Sequence, residues 1–87
     1  MNFSTALEEI KKGSKLTRKS WNGPNQYVFL IPGSMFKVDP DRPLAQYIKP
    51  GTVVMYKPHI DIKLVDGSIC PWFASMIDLF ADDWEFA

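Results

Sequence analysis

At 87 residues and 10.0 kDa the chain is expected to be one domain, residues 1–87, around one core; it buries roughly 64% of its unfolded surface, a narrow margin that subunit association would widen. Ten basic and ten acidic residues give a formal net charge of zero, which removes the long-range attraction to duplex nucleic acid and to anionic membranes. Cys70 is the only cysteine, excluding an intrachain disulfide and suiting a reducing cytoplasm; the stretch from Met1 to Thr5 lacks the charged start and apolar run expected of a signal peptide, and no apolar run of about 20 residues is present.

In chain order, Phe3, Ala6, Leu7 and Ile10 follow the spacing of one helix face, with Glu8, Glu9, Lys11 and Lys12 on the other side. Thr5 and Glu8 read as a capping pair at the start of this helix, and Gly13 as its left-handed stop. Lys11, Lys12, Lys15, Arg18 and Lys19 form the one basic cluster and read as a solvated face. Leu16 to Trp21 and Tyr27 to Ile31 are expected strands, joined by the turn-rich Asn22-Gly23-Pro24-Asn25. Strand alternation places Leu16, Arg18 and Ser20 on one face, so the Arg18 guanidinium falls beside apolar neighbours and requires a partner.

Residues 34 to 52 carry turn signals, Asp39-Pro40-Asp41-Arg42-Pro43 and Lys49-Pro50-Gly51, around a helical turn at Leu44 to Ile48. A strand over Thr52 to Tyr56 follows, then an alternating strand from His59 to Leu64, and Asp66-Gly67 turns it into Ser68-Ile69-Cys70. Ser75 with Asp78 reads as a capping pair opening a short helix through Phe80, and Asp82 to Phe86 returns to an extended aromatic pattern. The expected class is α+β: a small, mainly antiparallel β-sheet with an N-terminal helix and a short C-terminal helix.

Little in the sequence assembles a catalyst. Cys70 and His59 lie on strands expected to pair, but Cys70 reads better as a small buried hydrophobe. One cysteine and one histidine without ligand spacing give no metal site, and no cofactor motif is present. Asp78 is accounted for by capping, and Asp82, Asp83 and Glu85 by a solvated loop and strand edge. The five glycines stand singly at turns and form no phosphate cradle. Trp21, Trp72 and Trp84 are more promising, because a flat ring with one N–H donor can pack in a core or stack on a base. Trp84 reads as core. Trp21 borders a polar loop where Asn22 offers an amide, Gly23 close backbone approach and Arg18 a phosphate-matching fork.

Arg18-Lys19-Ser20-Trp21-Asn22-Gly23, Tyr27-Val28-Phe29-Leu30, Pro71-Trp72-Phe73-Ala74-Ser75 and Asp78-Leu79 through Ala81-Asp82-Asp83-Trp84-Glu85 together resemble the second type of phage Thoeris anti-defence protein. The resemblance spans nearly the whole chain and is weakest from Ser34 to Thr52; Ser20 and Ala74 stand where members often carry glycine and proline. It implies a sponge in the cytoplasm of an infected bacterium that captures a cyclic ADP-ribose-type nucleotide unmodified, as a homotetramer with pockets between protomers, some members also holding cyclic oligonucleotides. On that reading Arg18, Trp21, Asn22 and Gly23 form one wall of the ligand site, and Trp72, Ser75 and Asp78 a second. A small hydrolase of the same nucleotides and a direct inhibitor of a host protein are the alternative classes.

Overall fold

The computed structural model describes residues 1–22 and 25–87, so Gly23, one of the expected ligand contacts, lies outside the described residues. These form helices α1 (Phe3–Lys11) and α2 (Met76–Phe80) and a 3-10 turn at Pro43–Gln46. The strands are β1 (Leu16–Arg18), β2 (Tyr27–Ile31), β3 (Ser34–Lys37), β4 (Val53–Tyr56), β5 (His59–Lys63), β6 (Ile69–Pro71) and β7 (Trp84–Phe86).

The apolar stripe makes α1, but its cap is not the Thr5–Glu8 pair. Asn2 is the cap, its side chain accepting from the Thr5 backbone N–H at 2.9 Å. Asparagine caps at least as well as threonine, and Asn2 immediately precedes Phe3, the first apolar position of the stripe. Gly13 ends the helix with φ 101°, as its position requires.

Five strands form an antiparallel sheet in the order β6-β5-β2-β1-β7, and the fold is α+β. Ala6 and Ile10 of α1 pack on Leu16, Val28, Ile62 and Trp84 to make the core. Each fully buried aliphatic side chain contributes about 1.5–3 kcal/mol. Because side chains alternate, Thr17, Tyr27, Phe29, Lys63 and Glu85 face away from α1. Gly67, at φ 88°, turns β5 into β6 as expected. Register places Cys70 opposite Ile62 rather than His59, and Cys70 is exposed, not buried, because β6 is the edge strand.

The segment from 34 to 52 holds a strand that its turn signals obscured. β3 pairs with β4 in a separate two-stranded sheet, Met35 opposite Met55 and Phe36 opposite Val54. One face of this arm is knit by Phe36 and Tyr56, edge-on at 5.0 Å, while Met35, Val53 and Met55 lie exposed on the other. The molecule measures 45 × 26 × 21 Å, and its radius of gyration, 15.9 Å, exceeds the value of about 12 Å for a compact chain of this length.

Candidate functional site

The three tryptophans form one cluster centred on Trp84. Its buried ring meets Trp21 at 5.3 Å and Trp72 at 5.8 Å, both edge-on, and Phe3 at 5.4 Å. Such pairings orient the rings as well as burying them. The core reading of Trp84 therefore holds, and its Nε1–H is satisfied by the Asp78 carbonyl at 2.9 Å. Trp21 and Trp72, both half-buried, lean on this centre and open onto different concavities.

Asp78 is the hinge of the polar network above that cluster. Its carboxylate and the Ser75 hydroxyl form the expected reciprocal cap of α2, with bonds of 3.2 and 3.0 Å. The same carboxylate accepts from Arg18 Nη1 at 2.8 Å and Trp21 Nε1 at 3.3 Å. Asp83 accepts from Arg18 Nε at 2.7 Å and from the Ser20 N–H at 3.1 Å, so it is a partner of the guanidinium rather than a merely solvated loop residue. The Arg18 side chain is only 11% exposed, and these two carboxylates supply the partner that its apolar surroundings require.

Electrostatics follow from those contacts. The Arg18 hydrogen bond, with help from Ser20, lowers the Asp83 carboxyl from 3.8 to about 2. Burial alone would raise Asp78, but hydrogen bonds from Arg18, from the Ser75 backbone and hydroxyl, and from Trp21 outweigh it and hold the group below its ordinary value. Arg18 is pushed up, by Asp83 foremost and then by Asp78. At neutral pH the triad is a fixed set of charges, and neither carboxyl is poised to donate a proton.

Beside it, a cleft of about 430 Å³ is open to solvent, within the range of small-ligand sites. Arg18, Lys19 and Trp21 line it with Lys15, Thr17, Gln26, Tyr27, Lys63 and Glu85. The basic cluster is thus divided: Lys11 and Lys12 stay away from the cleft, while Lys15, Arg18 and Lys19 border it. Sequence reading missed Lys15, Tyr27 and Lys63 as site residues. The alternation of β2 and β5 carried a signal, since it puts Tyr27 and Lys63 on the face that α1 leaves bare.

The expected second wall divides in space. Arg18, Trp21 and Asp78 are brought together, and Asn22 follows Trp21 as an exposed residue. Ser75 touches this group through the α2 cap. Trp72 instead lines an apolar groove of about 640 Å³ with Phe3, Leu7, Leu30, Ile60 and Leu79. His59 lies away from both Cys70 and the triad, its Nε2 3.3 Å from Asp61 Oδ1 on the same strand. That approach is out of line for a hydrogen bond, and Asp61 Oδ1 has no donor among the described residues. No group of three His, Cys, Asp or Glu side chains gathers into a metal set among the described residues, and no helix there is long and apolar enough to cross a membrane.

The chain is 33% identical over 88 residues to "Thoeris anti-defense 2" of Bacillus phage SP01, covering 98% of this chain and 92% of that protein. Residues 1–87 match the family described as the Thoeris anti-defense 2-like domain. The chain belongs to the Thoeris anti-defense 2-like family, a family of phage anti-defence proteins.

Proposed function

We propose that residues 1–87 form one ligand-sequestering domain that binds a cyclic ADP-ribose-type nucleotide without altering it, withholding the signal from a Thoeris effector in the infected cell's cytoplasm. The observation that carries this reading is the cleft itself. Aromatic rings, Trp21 and Tyr27, stand among the cations of Lys15, Lys19 and Lys63, a composition that suits a base and phosphates in one ligand. Family membership supplies the anti-defence context.

Binding rather than turnover is supported by the state of the carboxylates. Asp78 and Asp83 are held ionised by Arg18, and hydrolysis of a nucleotide would call for an acid or base tuned near neutral pH. In this reading Arg18 and Asp78 orient Trp21, and Trp21 with Asn22 reaches the ligand. Gly23, Ser75 and Trp72 contribute where a neighbouring protomer closes the pocket.

Assembly into a homotetramer is part of the proposal. Phe73, Met76, Ile77 and Phe80 are each more than 70% exposed within a single eight-residue segment. These four side chains present roughly 600 Å² of apolar surface, the upper end for a free monomer and near the roughly 800 Å² that one partner gives to a standard interface. Enclosure between protomers matters energetically, because nanomolar retention needs about 12 kcal/mol and an open cleft leaves much of a nucleotide wet. Calorimetric titration with cyclic ADP-ribose and cyclic dinucleotides, alongside light-scattering mass, tests both parts. The expected result is saturable nanomolar binding to a tetramer; absence of binding to every cyclic nucleotide contradicts it.

A further inference from the structure

We infer that Lys15 and Lys63 form the phosphate seat of the cleft, holding a diphosphate beside the Tyr27 ring, and that Arg18 is not the phosphate ligand. The inference rests on the nucleotide-binding reading above and assigns the anion to a place in it.

Arg18 offers the obvious fork, but two of its three nitrogens are already spent on carboxylates. Nε binds Asp83 at 2.7 Å and Nη1 binds Asp78 at 2.8 Å. A phosphate competing for it would have to approach two ionised carboxylates. Like charges at such range repel strongly where water is scarce.

The outer sheet face presents a different charge pattern. Lys63 pairs with Tyr27 across β5 and β2, and Thr17 pairs with Glu85 across β1 and β7. The Leu16–Val28 pairing sets Thr17 beside Tyr27, and the Thr17 hydroxyl donates to the Gln26 carbonyl at 2.7 Å. The four side chains therefore make one row across the sheet: Lys63, Tyr27, Thr17, Glu85. Lys15, two residues before Thr17 and on the same face, sends its ammonium across to the Tyr27 end of that row.

At that end both ammonium groups lie over one ring, Lys15 Nζ at 4.8 Å and Lys63 Nζ at 5.5 Å from the Tyr27 centroid. They stand within about 10 Å of each other, one Debye length at 0.1 M salt, and repel. Neither has a carboxylate within ion-pair distance among the described residues; Lys63 makes only a long 3.4 Å bond to the Asn25 carbonyl. The Tyr27 face offsets part of that cost. A dianion between them removes the repulsion and gains two charge-assisted contacts, which a single phosphate monoanion matches only in part. Glu85, at the opposite end of the row, repels the phosphates toward the lysines and accepts from ligand hydroxyls. The row thus fixes the ligand's direction as well as its charge.

Lys15→Gln, Lys63→Gln, the double variant and the double Lys→Arg variant test this, with cyclic ADP-ribose and inorganic pyrophosphate as probes. Affinity for both probes is expected to fall about tenfold per lysine, to lose much of its salt dependence in the double Gln variant, and to return with arginine. In two-dimensional NMR, pyrophosphate should move Tyr27, Lys15 and Lys63 resonances in the wild-type protein. Wild-type binding of cyclic ADP-ribose that the double Gln variant retains in full, with unchanged salt dependence, overturns the phosphate seat and leaves the sequestration reading standing. Pyrophosphate bound at the two lysines by a protein that ignores cyclic ADP-ribose does the reverse. No binding of either probe sinks the seat and the choice of ligand together.

Discussion

Asp78 concentrates more roles than any other side chain here: it caps α2, pairs with Arg18 and anchors the indole of Trp21. Asp78→Ala leaves the Arg18 charge half-paired in a largely buried place and is expected to cost about 3 kcal/mol, read from urea denaturation. Asp83 gives a pH signature. Its folded-state pKa, about 2, is depressed from 3.8, so its stabilisation is complete above about pH 4 and is lost as the pH falls through 2. Asp78 is depressed too and acts in the same direction. Melting temperature should fall between about pH 4 and pH 2, and Asp83→Asn should flatten that slope; an unchanged slope contradicts the ion pair. The cap was legible because Ser75 and Asp78 are three residues apart. The need of Arg18 for a partner was legible as well, but its identity was not, since Asp78 and Asp83 lie 60 and 65 positions away and meet it only through the β1–β7 pairing. Trp21 shows the same limit: its neighbours suggested a ligand wall, whereas its ring also braces Trp84. Trp21→Ala should therefore reduce ligand retention and also cost about 2 kcal/mol in stability, as a half-buried tryptophan does.

At the scale of elements, the β-branched and aromatic run of β2, the alternation of β5 and the Asp66-Gly67 turn were legible because each has a local cause. β3 escaped because Ser34 to Lys37 is short and sits between Pro32-Gly33 and Asp39-Pro40, so flanking breakers outweighed a four-residue strand. The burial of Cys70 was misjudged for a related reason: sequence alternation does not say how far across a sheet one helix reaches. The arm has a specific root. A Cβ on Gly33 would stand 2.6 Å from the Tyr56 carbonyl oxygen and 3.0 Å from Pro58 Cδ, both in a stiff stretch of chain. Gly33→Ala is expected to displace the arm and destabilise the protein by about 1–3 kcal/mol, with faster proteolysis within residues 34–56 and unchanged Tyr27 and Lys63 resonances. Cleavage at the wild-type rate contradicts this close approach.

As a whole, the molecule spends its small core on one aromatic centre and leaves apolar side chains exposed on α2 and on the arm. Trp84 couples the two sides: through Trp21 it supports the polar cleft, and through Trp72 the apolar groove. The segment from Pro71 to Glu85 is thus chiefly scaffold and proposed interface, while most of the cleft is built from β1, β2 and their loop. Sequence reading found Trp21 and the Arg18 fork there but set Asp78 in a second wall with Trp72, because the contacts of Asp78 with Arg18 and Trp21 exist only in three dimensions. The central claim is capture without chemistry. Protein mixed in slight excess with cyclic ADP-ribose should clear it from the ultrafiltrate and release it chemically intact on heat denaturation. Recovery of a cleaved nucleotide, or its consumption by a substoichiometric amount of protein, would contradict the account.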